Sequence, residues 1–278
     1  MAGKQDAWLG LIVGNSRWHW GAFAGHRWLG AWHTSHLSES QVKALEQGHF
    51  APASFQRLGL DPGIWASTAG WNDAGVAHPE LWLASVVEQP LGWLADYPAL
   101  HVMTTAQVPL QNTYATLGVD RALALVGAGE TWGWPTLVID CGTALTYTAG
   151  VDQRLIGGAI LPGLGLQFRA LGEHTDRLPG LAPEENSWPQ RWATNTAEAI
   201  ASGVLHTVLA SLCDFITAWK TDWPDGRLVL TGGDSAAIAA YLTHRAPDLA
   251  RQIKRDPDLG FWGLRACRQR TLKKSTDL

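Results

Sequence analysis

Short apolar runs along this chain end, again and again, in small polar turns that contain glycine. In Thr136-Leu-Val-Ile-Asp-Cys-Gly-Thr-Ala-Leu-Thr146, Leu137 to Ile139 read as a buried strand that delivers Asp140 at its C-terminal end. Gly142 and Thr143 then turn the chain before a second apolar run begins at Ala144. Leu11-Ile-Val-Gly-Asn-Ser16 and Leu228-Val-Leu-Thr-Gly-Gly-Asp-Ser235 repeat the layout. Two readings stay open for such a stretch: a β-hairpin with a polar turn, or a strand end where phosphate and a cation meet backbone amides.

Trp8–Val13, Trp18–Gly25 and Arg27–Thr34 read as strands, and glycine at the close turns suggests an antiparallel meander. Ser38, with Gln41 three residues on, has the layout of a helix N-terminus running through Leu45. Gly63–Thr68 reads as an apolar strand, Pro79–Val87 carries helix-like periodicity, and His101–Thr104 could be a further strand. After a polar stretch from Pro109 to Thr116, Gly118-Val-Asp-Arg121 opens a helix reaching about Glu130. Two strands flank the Gly142-Thr143 turn. Arg154–Leu161 is a strand with Gly157 and Gly158 inside it, where a bulge and close backbone approach are both open. Leu164–Leu171 looks helical, and residues 172–194 look like a loop or cap. Ala197–Trp219 is the longest helical pattern. Arg227–Thr231 is a strand, Ser235–Leu242 a helix, Ile253 and Gly260–Arg265 close the domain, and Lys273–Leu278 is polar and frayed.

Each half thus starts with strands joined by tight turns and then alternates helix and strand. An α/β fold of two domains, 1–112 and 113–278, with a cleft between them, is the expectation. The 278 residues suffice for two cores, and no short-period repeat suggests a solenoid.

Composition narrows the function. The formal net charge of −4 leaves no basic footprint for nucleic acid. No apolar run nears the roughly 20 residues of a membrane span, and the N-terminus lacks a signal-peptide layout. Cys141, Cys213 and Cys267 form no CxxC pair and suggest a reducing, cytoplasmic setting. The 16 tryptophans read as packing residues.

Four groups carry candidate chemistry. Gly14-Asn15-Ser16, with Arg17 next, is either a tight hairpin or a phosphate-holding turn. Gly118-Val-Asp-Arg121 sets a carboxylate and a guanidinium at a helix start. Asp is favourable there on dipole grounds alone; it can also accept a proton from an alcohol, while Arg forks onto a substrate carboxylate. Gly157-Gly-Ala-Ile-Leu-Pro-Gly163 is dense in glycine. Thr231-Gly-Gly-Asp-Ser235 precedes a helix, so it either caps that helix through Asp234 or Ser235 or faces an anion. His174, His206 and His244 are isolated, and neither GxxxxGK[ST] nor GxSxG occurs.

The order of these motifs resembles the type III pantothenate kinases, within the acetate and sugar kinase, Hsp70 and actin superfamily. That family carries Asp-x-Gly-Asn-Thr, Gly-x-Asp-Arg, Asp-x-Gly-Thr-Ala-x-Thr, Gly-Gly-x-Ile-x-Pro-Gly, Asn-Thr before a long helix, and a late Thr-Gly-Gly. Here stand Gly14-Asn15-Ser16, Gly118 to Arg121, Asp140 to Thr146, Gly157 to Gly163, Asn195-Thr196 and Thr231-Gly232-Gly233, in that order. The resemblance implies two ribonuclease-H-like (actin-like) domains in a cytoplasmic homodimer, with no nucleic-acid or membrane partner. It implies transfer of the ATP γ-phosphoryl group to pantothenate, the first step toward coenzyme A. A divalent metal, magnesium, and a monovalent cation, potassium or ammonium, are implied with it. By the same resemblance Asp120 is the general base, and Tyr114, Gly118, Val119, Asp120, Arg121 and Thr196 contact pantothenate. Gly14, Asn15, Ser16, Arg17, Gly142 and Thr143 hold the nucleotide, and Asp140 lies near phosphates and metal.

The chain departs from the pattern twice. Ile12 stands where the family has an acidic residue, and Thr148 where it has an Asp. The missing carboxylate at Ile12 keeps a rival open, a non-catalytic relative that binds nucleotide or a pantothenate-like ligand. The intact Asp120-Arg121 pair opposes it.

Overall fold

The computed structural model describes residues 7–60, 78–175, 177–182 and 188–276. The expected strand at Gly63–Thr68 lies outside these residues. The chain forms two compact units. One comprises Met1–Pro109, Thr113–Gly127 and Gly260–Leu278; the other comprises Leu110–Asn112 and Ala128–Leu259.

In the first unit, β1 (Ala7–Val13), β2 (Trp18–Ala24), β3 (Arg27–Thr34), β4 (Glu80–Ser85) and β5 (Leu100–Met103) form a sheet of order β3-β2-β1-β4-β5. The first three strands are the expected antiparallel meander, and β4 and β5 add in parallel. Every residue of β1 is buried, as befits a central strand covered on both faces. One face packs on a core that includes Trp18, Trp20, Trp32, Phe50 and Phe55. The other carries Gly10 and Gly21, and the terminal helix α9 (Leu259–Thr276) lies close above both. A Cβ on Gly10 would sit 2.9 Å from Leu264, and one on Gly21 2.7 Å from Phe261.

Ser38 caps α1 (Glu39–Gln47) with the anticipated box: its hydroxyl accepts the Gln41 amide, and the Gln41 side chain accepts the Ser38 amide at 2.9 Å. Two short helices follow, α2 (Pro52–Arg57) and α3 (Gln89–Trp93). The helix expected over Pro79–Val87 is instead strand β4. Its run Leu81-Trp-Leu-Ala84 is buried throughout. A short, wholly apolar run fits a covered strand as well as a helix, and only its neighbours decide.

In the second unit, β6 (Thr136–Cys141), β7 (Ala144–Val151), β8 (Arg154–Pro162), β9 (Arg227–Thr231) and β10 (Ile253–Arg255) take the order β10-β9-β6-β7-β8. Again three strands are antiparallel and two add in parallel. The two sheets share one layout, an α/β arrangement of two ribonuclease-H-like domains. The glycines of β8 coincide with an irregularity in pairing near Ala149/Gly150, and Gly157 has φ +157. The bulge reading holds there.

Helices α4 (Val119–Trp132), α5 (Leu164–Glu173), α6 (Thr196–Asp222), α7 (Ser235–Arg245) and α8 (Pro247–Ala250), with a 3-10 turn at Thr105–Gln107, complete the described elements. By length and composition α6 is apolar enough to cross a membrane. Its Ile200, Val204, Val208, Leu212 and Ile216, four residues apart, are buried in the core of the second unit. The tail expected to fray from Lys273 stays helical through Thr276, with Lys273 and Lys274 in the last turn, where cations favour the negative helix end.

Candidate active site

In the first unit the turn after β1 is closed by the Gly14 amide, which donates to the Arg17 carbonyl at 3.0 Å. Beside it, the Val86 amide beyond β4 donates to the Val13 carbonyl at 3.1 Å. The Val86 side chain approaches to 4.0 Å from where a Cβ on Gly118 would stand. Val86 thus lies near both the residue before the Gly14–Arg17 turn and the start of α4. The segment before Gly118 is tied down by Thr105, whose hydroxyl donates to the Leu117 carbonyl at 2.9 Å.

Gly118 is glycine for a local reason. A Cβ there would collide with Oδ1 of Asp120. That carboxylate folds back over the first turn of α4 and accepts the Arg121 amide at 2.8 Å. Burial pushes the Asp120 carboxyl above its ordinary range, against the opposing pull of the Arg121 amide and guanidinium. Arg121 is itself buried, and its Nη1 donates to the Tyr114 hydroxyl at 3.0 Å. Tyr114, Gly118, Asp120 and Arg121 thus form one cluster. Val119 is buried beneath it. A carboxylate with raised affinity for protons, beside a guanidinium, suits proton abstraction from a substrate anchored through an anionic group.

Near the Gly14 turn, His19 on β2 and His33 on β3 face each other, Nδ1 to Nδ1, at 2.9 Å. Burial, then His33 and Arg17, push His19 down to about 4, so His19 is neutral at pH 7.

In the second unit the Gly142–Thr143 stretch is the turn of a hairpin. β6 and β7 are antiparallel, and the Gly142 amide donates to the Ala144 carbonyl at 3.1 Å. Two other segments press on this turn. The Gly163 amide donates to the Thr143 carbonyl at 2.9 Å, and a Cβ on Gly163 would overlap the Gly142 carbonyl. Gly232 has φ +90, and a Cβ there would meet Oδ1 of Asp140 and lie 2.6 Å from the Cys141 carbonyl. The Asp234 amide donates to that carbonyl at 2.9 Å. Asp140, Gly142, Thr143, Gly163, Gly232 and Asp234 are therefore one cluster, built where β6 and its parallel neighbour β9 end.

Asp234 occupies the cap position of α7 but makes no side-chain capping bond. The sequence leaves open whether Asp234 or Ser235 caps this helix or the turn faces an anion; the Asp234 amide on the Cys141 carbonyl, with Asp140 beside the same cysteine, makes Asp234 a second candidate carboxylate. Both raise the Cys141 thiol, which burial has already pushed well up, so this cysteine is inert as a nucleophile. Among the described residues no group of three or more metal-ligating side chains occurs. A donor set of one or two carboxylates fits magnesium carried largely on phosphates and water.

Thr196 stands at the start of α6, where Asn195 caps the helix by accepting the Glu198 amide at 3.0 Å. It lines an open groove of about 480 Å³ with Gln167, Leu171, Leu178, Ile200 and Val204. Gln167 connects groove to turn, because its Nε2 donates to the Pro162 carbonyl at 2.8 Å, one residue before Gly163.

Comparison with known proteins finds similar chains. A family model described as type III pantothenate kinase matches residues 8–218. A type III pantothenate kinase of Nostoc sp. is 43% identical over 94% of this chain and 94% of its own. One from Synechococcus sp. is 41% identical over 97% of this chain and 95% of its own. One from Synechocystis sp. is 39% identical over 95% and 91%. Among solved structures, a Campylobacter jejuni protein described as a Baf family transcriptional activator superposes with a TM-score of 0.57. It is 18% identical, over 97% of this chain and 100% of that one, and supports the fold.

Proposed function

The chain belongs to the type III pantothenate kinase family, and we propose a residue-level account of how it phosphorylates pantothenate with ATP to give 4'-phosphopantothenate, the first step of coenzyme A synthesis. Asp120 is the general base. The pantothenate hydroxyl oxygen forms a bond to the γ-phosphorus of ATP, the bond from that phosphorus to the β-γ bridging oxygen breaks, and ADP leaves. The hydroxyl proton goes to Asp120. Arg121 forks onto the pantothenate carboxylate, which Tyr114 supports through its bond to Nη1. Gly118, Val119 and Thr196 shape the rest of the pantothenate contact.

Gly14, Asn15, Ser16, Arg17, Gly142 and Thr143 hold the nucleotide phosphates. Asp140, with Asp234, would hold magnesium, which when bound offsets the negative charge of the phosphates. A monovalent cation, potassium or ammonium, completes the requirement. The protein works in the cytoplasm, a reading that the free thiols of Cys141, Cys213 and Cys267 fit. It acts as a homodimer, without nucleic-acid or membrane partners. Ile156 and Ile160, on one face of β8, are 51% and 64% exposed, an apolar feature that suits contact with a second copy.

The observation that carries the catalytic assignment is the Asp120 carboxylate, partly buried over Gly118 beside a buried Arg121. The test is ADP release coupled to pantothenate, with magnesium, in potassium against sodium. Pantothenate-dependent turnover that is faster in potassium is expected. No ADP release, with neither ATP nor pantothenate bound across metals and cations, would overturn the account in favour of a non-catalytic relative.

A further inference from the structure

We propose that His36 is a positioning residue for the nucleotide turn Gly14–Arg17, fixing Asn15 through a relay that starts at Trp18. The inference rests on the reading of that turn as the ATP-phosphate holder.

The relay is directional. Trp18, the first residue of β2, is wholly buried, and its indole nitrogen can only donate. It donates to Nδ1 of His36 at 3.2 Å. Nδ1 must therefore be the acceptor, so Nε2 carries the proton and donates to the Asn15 carbonyl at 3.0 Å. The indole sets both the tautomer and the ring plane, with the two rings edge to face at 77°. The ring in turn sets the direction of one peptide in the turn. His36 is itself anchored on both sides, by the end of β3 at Thr34 and by buried Leu37 before the Ser38 cap.

Asn15 and His36 are both exposed, so this contact adds little to the core. Its effect falls on the geometry of the turn. Together with the Gly14 amide on the Arg17 carbonyl, it fixes the turn at two points before a nucleotide arrives. Such preorganisation strengthens binding by cutting the ordering cost.

The test compares wild type with His36→Leu, His36→Gln and Trp18→Phe. It measures the KM for ATP, the KM for pantothenate, ATP affinity by calorimetry, and the thermal midpoint. One net hydrogen bond corresponds to a change of roughly 2- to 12-fold in affinity. His36→Leu should weaken ATP by about that factor, with the pantothenate KM and the midpoint unchanged. His36→Gln keeps an acceptor and a donor and should recover most of the loss. Trp18→Phe, which keeps an aromatic ring and removes the N–H, should weaken ATP in the same direction. Unchanged ATP affinity in His36→Leu, an equal rise in both KM values, or a Gln variant as impaired as Leu would overturn the relay. If wild type binds ATP but phosphorylates no pantothenate, the kinase account fails, while a weaker ATP affinity in His36→Leu still supports the relay. If wild type does not bind ATP, both fall.

Discussion

Gly232 and Gly233 are neighbours in one motif, and the structure predicts opposite consequences for the same substitution. At Gly232 the backbone has φ +90, which an L side chain disfavours by about 1–2 kcal/mol. A Cβ there would also press on the Asp140 carboxylate and stand 2.6 Å from the Cys141 carbonyl. The Asp140 tip can swing aside, but the Cys141 carbonyl is held by the Asp234 amide at 2.9 Å. Overpacking of this kind costs about 1–3 kcal/mol. Gly232→Ala should therefore lose roughly 2–5 kcal/mol. At about 2–4 °C per kcal/mol, the unfolding midpoint should fall by roughly 4–20 °C. At Gly233 a Cβ meets nothing within 4 Å. Gly233→Ala should hold the midpoint or raise it slightly, since alanine restricts the unfolded chain by about 0.4–1 kcal/mol. The assay is thermal unfolding followed by circular dichroism on both variants. Equal midpoints, or Gly233→Ala as the weaker protein, would refute the claim that the Gly232 turn is wedged against Asp140 and Cys141.

Three further outcomes follow from the site. Asp120→Asn keeps an acceptor for the Arg121 amide and removes the base, so turnover should fall by about 10²–10⁴. In wild type the acid limb of kcat/KM should lie above the ordinary aspartate value of about 3.9, because burial raises this carboxyl. A folded value above the unfolded one means that the Asp120 contribution to stability is lost as pH rises from about 3.9 through the folded value. The Asn variant should lack that slope and be no less stable at neutral pH; near-normal turnover would remove Asp120 from its role. Arg121→Lys loses the fork and its bond to Tyr114, so the pantothenate KM should rise far more than the ATP KM, and steady-state kinetics checks this. Ile12→Asp should lower the free magnesium needed for half-maximal rate. Ile12 is buried, and its Cδ1 lies 2.7 Å from where a Cβ on Gly260 would stand, so the variant should also cost about 2–5 kcal/mol of stability in a melt.

Much of this fold was legible because its signals are local. The meander from Trp8 to Thr34 announces itself through glycine turns at short spacing, and Ser38 with Gln41 marks a helix start that the structure reproduces to the hydrogen bond. Pro79–Val87 was not legible, because what makes it a strand is pairing with β1 and β5, and what buries Leu81 and Leu83 is a core shared with residues as distant as Leu9 and Leu45. The helical tail at Lys273 was obscured in the same way: its polar residues say solvent, which is true of a helix end as much as of a frayed terminus.

The candidate site divides along the same line. That Gly118, Asp120 and Arg121 belong together follows from their adjacency, and the geometry adds only that the Asp120 carboxylate folds back into the space beside Gly118. The role of Gly163 and Gly232 follows from nothing adjacent. Each is small because the backbone at Gly142 or Cys141, supplied by a distant segment, occupies the place of its Cβ. A sequence displays the glycine and hides the atom it makes room for. Asp234 reads from sequence as either a cap or part of an anion-facing turn, and His36 carries no signal of its own. Their partners, Cys141 and the Trp18–Asn15 pair, are brought to them only by the sheet. Local chemistry thus identifies which residues could react, while the residues that hold them in place emerge only where strands distant in sequence end side by side.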